Sequence, residues 1–269
     1  MVASSQTTLS GHAGSLYVKR WNNEAPRRTV ILVHGYGEHI GRYEEVAAML
    51  VGGGAVVWGL DHAGHGHSDG ERGLIASLDA AVGDLKLLVD VAREANPELA
   101  VVLVAHSMGG AIGLRYAELH QDDLAGLVMS APLIGSWAPA PILLALEDLP
   151  AIPIDPSVLS RDPAVCAAYG DDPLVYHGPF GRATLAAAST GLLEIALDAD
   201  RVTIPILWQH GCDDVLVPLE GTRRGVDLLR NAEVQQRSYP GALHEIFFEI
   251  NSAEVLADTM AFVAEVAPG

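Results

Sequence analysis

Apolar residues along the chain gather in short runs rather than long blocks. Thr29–His34, Ala55–Leu60, Val101–Ala105, Leu124–Ser130 and Ile204–Trp208 are rich in Val, Ile and Leu and barely alternate with polar residues. Short runs without alternation predict strands buried on both faces, as in a parallel sheet. Ser15–Trp21 does alternate and predicts an antiparallel edge strand, and Val234–Tyr239 predicts a weaker strand near the end. Between the runs the spacing turns helical. Leu78, Val82, Leu85, Val89 and Ala92 fall on one face of a helix over Leu78–Ala95. Arg42–Leu50, Gly109–Leu119, Glu220–Leu229 and Ala253–Val266 continue the series. Strands alternating with helices predict an α/β sheet wrapped by helices, and no internal repeat interrupts it.

One connection breaks the rhythm. Pro132–Thr203 separates two core strands, far more chain than a crossover needs, and it is rich in proline with short apolar pieces such as Ile142–Leu146. The expectation is a core formed by residues 1–131 and 204–269 and an inserted, mainly helical cap over 132–203. A decorative excursion away from any site is the plainer alternative. The segment leaves the sheet at a strand's carboxyl end, where open α/β sheets bind ligands, and that favours a lid.

The candidate chemistry sits at strand ends. Val104-Ala105-His106-Ser107-Met108-Gly109-Gly110 follows a strand and opens a helix, which presents the Ser107 hydroxyl on a sharp turn above the sheet. The turn requires small residues two before and two after the serine. Gly109 satisfies this, and Ala105 stands where the G-x-S-x-G pattern has Gly. An ordinary helix N-cap also has Ser before Gly-Gly, but the strand and helix stand in the order the reactive turn demands. A serine nucleophile needs a base, and the base an orienting carboxylate. His244, after the last strand, supplies the base. Asp214, after the preceding strand, supplies the acid, with Asp213 as the alternative; Val215, Val217 and Pro218 point to a turn into a helix beyond Asp214. The order Ser, Asp, His matches the hydrolase elbow arrangement. An oxyanion needs backbone donors: the Met108 N–H directly after the serine, and the Tyr36 N–H in His34-Gly35-Tyr36-Gly37.

With these residues in place the chain resembles the α/β-hydrolases from about Ser15 to Val266, and within them the monoacylglycerol lipases, especially the small bacterial ones. The likeness rests on His34-Gly35-Tyr36-Gly37-Glu38-His39 through Gly41-Arg42-Tyr43, on Asp61-His62-Ala63-Gly64-His65-Gly66-His67-Ser68-Asp69-Gly70, and on His106-Ser107-Met108-Gly109-Gly110. It implies a mostly parallel, eight-stranded type of central sheet flanked by helices with a helical cap. It also implies an esterase with a Ser107, Asp214, His244 triad, an oxyanion hole at Tyr36 and Met108, no metal or organic cofactor, and an apolar cap that meets lipid surfaces. Ala105 and Ala63, the latter where such loops often carry Arg, depart from the pattern without removing a catalytic group.

Composition narrows the partners. Of 269 residues, 49% are hydrophobic and 19% charged, which excludes a disordered chain. Lys+Arg 16 against Asp+Glu 34 leaves −18, which repels phosphate backbones and disfavours nucleic acid. A small uncharged lipid ester fits better. Cys166 and Cys212 make no disulfide framework and suit a reducing cytoplasm. Met1–Gly14 lacks the basic start and apolar core of a signal peptide. Pro132, Pro139 and Pro141 break the uncharged stretch Ala131–Leu146, so no membrane-spanning helix is expected.

Several other signals have plainer explanations. His62, His65 and His67 with Asp61 and Asp69 resemble a metal cluster, but alternating glycines suggest a turn rather than a tetrahedral cage. His106 is expected to support packing, and Cys212 to be a small buried apolar residue. Glu38, His39 and Arg42 suit a polar network under the oxyanion loop, and Arg42 with Glu38 equally suits an i, i+4 helix-start contact. Trp137 and Ile142–Leu146 suit lipid contact or packing onto the core. The rivals to lipase function are a short-chain or aryl esterase, a lysophospholipase or thioesterase, and an inert binding protein on the same fold. Dehalogenase and epoxide-hydrolase chemistry is disfavoured, because those relatives use Asp as nucleophile.

Overall fold

A computed structural model describes residues 2–269. In β3 (Arg28–Val33), Val30 and Leu32 enter one apolar cluster while Ile31 and Val33 enter another, so the strand is buried on both faces. The same holds for β4 (Ala55–Leu60) and β5 (Val101–His106). These are the strands whose sequences do not alternate. With β1 (Ser4–Gly11), β2 (Gly14–Trp21), β6 (Gly126–Ser130), β7 (Ile206–Gly211) and β8 (Val234–Tyr239) they make one eight-stranded sheet in the order β1-β2-β4-β3-β5-β6-β7-β8. From β4 to β8 neighbouring strands are parallel, whereas β2 is antiparallel to both β1 and β4.

Helices cover both faces. α1 (Glu44–Gly52) and α8 (Ser252–Val266) bury Val46, Leu50, Val255 and Phe262 on one face. α2 (Leu78–Ala95) and α3 (Met108–His120) bury Leu85, Val89, Ile112 and Tyr116 on the other. α1 is preceded by a 3-10 turn over Ile40–Tyr43, so the expected helix from Arg42 begins as a tighter turn. Between β6 and β7 the chain runs through α4 (Pro139–Leu144), α5 (Pro163–Asp171) and α6 (Arg182–Asp198), and α7 (Leu219–Val226) follows β7. α6 serves two sides: Ala187 and Ile195 join the main core, while Leu185 and Leu192 pack with Trp137 and Ala140.

One expectation is corrected. The sheet edge is β1, not Ser15–Trp21, which is flanked by β1 and β4. The β1 sequence SSQTTLSG carries no apolar alternation and is almost wholly exposed. Its place is held by backbone pairing with β2, which leaves no mark in a hydrophobic pattern. The carboxyl ends of β3, β5, β7 and β8 lie at the same edge of this parallel array, so the segments after them converge.

Candidate active site

The chain turns sharply after β5. Ser107 has φ 55° and ψ −119°, a left-handed conformation rare for a residue with a side chain. Backbone bonds hold it there: the Ser107 N–H donates to Ser130 O at 2.9 Å, and Ser107 O accepts the Gly110 and Leu133 N–H groups, each at 2.9 Å. The close approach of α3 to β3 demands glycine at 109, where a Cβ would stand 2.3 Å from Val33 O. Ser107 precedes α3, but its side chain does not cap the helix. Its Oγ lies instead 2.8 Å from His244 Nε2.

The imidazole is held from behind. His244 Nδ1 donates to Asp214 Oδ2 at 2.7 Å, and the Leu216 and Val217 N–H groups each donate to Asp214 Oδ1 at 2.9 Å. His210 Nε2 donates to Val217 O at 2.8 Å and stands 3.3 Å from Asp214 Oδ2, while its Nδ1 accepts from Trp208 Nε1 at 3.2 Å. Burial alone raises the pKa of the Asp214 carboxyl. The charge of His244 and the bonds from His210 and His244 outweigh it and hold the group well below the usual carboxylate range. For His244, burial favours the neutral ring, but the Asp214 charge and hydrogen bond prevail and raise its pKa. An alcohol, an imidazole and a buried carboxylate linked in this way can turn the hydroxyl into a nucleophile. Of the two carboxylates weighed, Asp214 makes this contact, and Asp213 is exposed.

Tyr36 and Met108 border the same cavity as Ser107 and His244, a space of about 480 Å³. Neither amide donates to another described backbone group. Gly35, directly before Tyr36, is gripped twice: its N–H donates to Glu38 Oε1 at 2.6 Å, and its carbonyl accepts from His34 Nδ1 at 2.8 Å. Glu38 belongs to the polar network under this loop and also makes the i, i+4 contact. It accepts from Tyr43 OH at 2.8 Å and from Arg42 Nη1 at 2.8 Å. The excursion between β6 and β7 reaches the cavity through Trp137, Ile154, Leu159, Tyr169 and Phe180. Phe180 stacks on Tyr36 with ring centroids 4.8 Å apart.

Two residues here were missed by the sequence reading: Glu245, which takes a bidentate bond from Arg42, and His210 behind Asp214. A charge directly after His244 in an otherwise apolar stretch was the available clue to Glu245. His106 is buried, bonds Ser130 through Nδ1 at 3.1 Å and packs on His244 with centroids 4.9 Å apart. Trp137 is buried and donates to Leu216 O at 2.9 Å, whereas Ile142 is 64% exposed. Cys212 corrects the expectation of a buried residue: it is exposed at the first turn beyond β7.

The histidine-rich loop is structural in its contacts. Asp61 accepts the N–H groups of Ile40 at 2.7 Å and His67 at 2.8 Å, and Asp69 accepts that of Ser15 at 2.8 Å. His62 and His65 are buried, and burial lowers their pKa values to about 3 and about 4, while His67 is exposed. Among the described residues no group of three His, Cys, Asp or Glu side chains is arranged to hold a metal ion. No described helix is long and apolar enough to cross a membrane.

Comparison with known proteins assigns the chain to a family. The family profile described as serine aminopeptidase, S33, matches residues 24–251. A monoacylglycerol lipase from Mycolicibacterium smegmatis is 37% identical over 248 residues, 88% of each chain. A human monoglyceride lipase is 34% identical over 250 residues, 87% of this chain and 81% of that one. The crystal structure of a Paleococcus ferrophilus monoacylglycerol lipase superposes with a TM-score of 0.81 at 29% identity, covering 93% of this chain and 99% of that one. The chain is thus a serine hydrolase on the α/β-hydrolase fold and belongs to the serine aminopeptidase S33 family, in the company of the monoacylglycerol lipases it resembles.

Proposed function

We propose that the protein hydrolyses monoacylglycerols to a fatty acid and glycerol, with Ser107, His244 and Asp214 as the triad and the Tyr36 and Met108 N–H groups as the oxyanion hole. The observation that carries this reading is the hydrogen-bonded chain from Ser107 Oγ through His244 to Asp214, at the mouth of an apolar cavity. His244 takes the hydroxyl proton as Ser107 Oγ attacks the ester carbonyl. The negative oxygen that forms points to the two amides. His244 then protonates the departing glycerol oxygen, the carbonyl bond re-forms and the acyl-serine remains. Water gives a proton to the same ring, attacks the acyl carbonyl and frees the acid, and the proton returns to Ser107.

The acyl chain goes into a second cavity of about 470 Å³, which shares Tyr36, Met108, Leu133, Trp137 and Phe180 with the first. Residues 132–203 act as a cap, and its face meets lipid. Exposed Ile142, Leu146 and Ile152 support that contact, as does a surface groove of about 700 Å³ sharing Ile154, Phe180 and Leu216 with the Ser107 cavity. The free thiol of exposed Cys212 suits a reducing compartment.

The test is turnover of wild type and Ser107→Ala on glycerides with one, two and three acyl chains. Wild type is expected to prefer the monoacyl substrate, and Ser107→Ala to be inactive. Preference for triacylglycerol, or for acetate and butyrate esters over medium-chain ones, would overturn the substrate. Unchanged rates in Ser107→Ala would overturn the mechanism.

A further inference from the structure

The acyl cavity ends at a wall, and the wall has one outstanding member. The lining of the part not shared with the Ser107 cavity includes Leu78 at the start of α2 and Thr184, Ala188 and Leu192 along α6. Thr184 offers no polar group to this space: its hydroxyl donates to Gly73 O at 3.0 Å and accepts the Ile75 N–H at 3.2 Å. That end is therefore built for the methyl terminus of a chain. On the outer side, a surface groove of about 600 Å³ runs between the start of α2 and the other side of α6, lined by Ser77, Asp79, Ala187, Thr190 and Leu78. Leu78 is the residue common to both spaces.

Leu78 is firmly seated in that position. It is 4% exposed, and it lies directly over Gly191 of α6, where a Cβ would stand 1.8 Å from Leu78 Cδ1. Glycine at 191 thus creates the notch that lets the leucine side chain close the gap between the helices. Ser77 caps α2 just before it, accepting the Ala80 N–H at 3.0 Å, so the backbone carrying Leu78 is fixed as well.

From this arrangement we infer that Leu78, seated on Gly191, is the end wall of the acyl pocket and sets the length of acyl chain the enzyme accepts. The inference rests on the acyl-cavity assignment under the proposed function. A chain that reaches Leu78 ends against it, and a longer chain has no room until the leucine is removed. With a smaller side chain at 78 the pocket opens into the α2–α6 groove, and the end of a long chain runs out along it. With a larger one the pocket shortens.

The test measures kcat/KM for palmitoyl and octanoyl substrates in wild type, Leu78→Ala and Leu78→Phe, as monoacylglycerols and as p-nitrophenyl esters. The palmitoyl-to-octanoyl ratio is independent of how much of each variant is folded. Leu78→Ala is expected to raise the ratio roughly tenfold, the discrimination carried by one or two methylenes in an apolar pocket. Leu78→Phe is expected to lower it. A Leu78→Ala ratio equal to that of wild type overturns the inference. If wild type cleaves the p-nitrophenyl esters but no glyceride, the monoacylglycerol reading fails, and the ratio on the p-nitrophenyl series still decides the role of Leu78.

Discussion

Arg42 donates to both carboxylate oxygens of Glu245, at 2.6 and 2.7 Å, and Glu245 directly follows His244. The same guanidinium bonds Glu38, which holds the Gly35 N–H beside the proposed oxyanion site. One buried cation therefore ties the loop after β3 to the loop that carries the histidine. It is sandwiched between the rings of Tyr169 and Phe248, each 4.9 Å from the guanidinium carbon. Glu245→Ala leaves that charge half-paired in a buried setting, and denaturant unfolding is expected to show a loss of about 3 kcal/mol. The expected kinetic effect falls on kcat more than on KM, because the imbalance lies beside the reacting groups. Wild-type stability in Glu245→Ala would deny the tie.

The pH dependence follows from His244. In the proposed mechanism attack by Ser107 requires the neutral ring as base, so activity is expected to be lost as pH falls through the His244 pKa. Burial works to lower that pKa, and the Asp214 charge and hydrogen bond outweigh it, so the acid limb of kcat/KM is expected above the ordinary value of 6.5. In Asp214→Asn the attraction is gone and burial prevails, so the limb is expected to move to lower pH. Its kcat is expected to fall by about 10⁴-fold, as such a change does in a serine-protease triad. A pH series on both proteins checks the two effects; an acid limb left in place by Asp214→Asn would show that Asp214 does not control the ring.

Much of this was legible in the sequence, for physical reasons. Strands buried on both faces write their position as unbroken Val, Ile and Leu runs, so β3, β4 and β5 stand out, and Ser107, Asp214 and His244 are found from the strand ends they follow. What was hidden depends on pairing across long separations or on the backbone. Arg42 and Glu245 are 203 positions apart, and β1 is held by a ladder that polar residues make as well as apolar ones. Cys212 looked apolar by type, but its place on an exposed turn decides its burial.

Ala105, the departure from the glycine pattern, is matched across the contact by Gly113. A Cβ at 113 would stand 3.1 Å from the Ala105 Cβ and 3.2 Å from Leu127 Cδ1. Overpacking of about 1–3 kcal/mol is expected in Gly113→Ala, more than the roughly 1 kcal/mol by which Ala improves on Gly in a helix interior. Adding Ala105→Gly removes the nearest contact and is expected to recover at least about 0.5 kcal/mol beyond additivity. Thermal unfolding of the four proteins in the cycle measures this. Strict additivity would mean that the two positions do not compensate each other.

Ile142 and Ile152 project from the excursion between β6 and β7 with 64% and 67% of their surface exposed. If they enter a lipid surface, each buries a side chain worth about 1.5–3 kcal/mol. Ile152→Asp is then expected to cut turnover of substrate in vesicles about tenfold or more while leaving soluble short-chain esters unaffected. Equal loss on both substrates would assign Ile152 a role in the fold rather than at the membrane.

His34 offers the sharpest test of the oxyanion assignment. Its Nδ1 lies 2.8 Å from Gly35 O, and its Nε2 lies 3.0 Å from the His62 N–H. A carbonyl on one side and an amide on the other admit a single tautomer, with the proton on Nδ1. Burial, with His62 and His65 close by, holds the ring's pKa well below its ordinary value, so it stays neutral. The Gly35 carbonyl shares its rigid peptide plane with the Tyr36 N–H, so a donor fixed on that carbonyl also fixes the direction of the amide. Asn at 34 can place an N–H where Nδ1 now donates, and Leu cannot. His34→Leu is expected to lower kcat by roughly tenfold or more, short of the 10²–10³-fold lost when an oxyanion donor is removed outright, with KM little changed. His34→Asn is expected to recover most of that loss. If the two variants lose kcat equally and in step with their melting temperatures, His34 only packs and does not orient the Tyr36 amide.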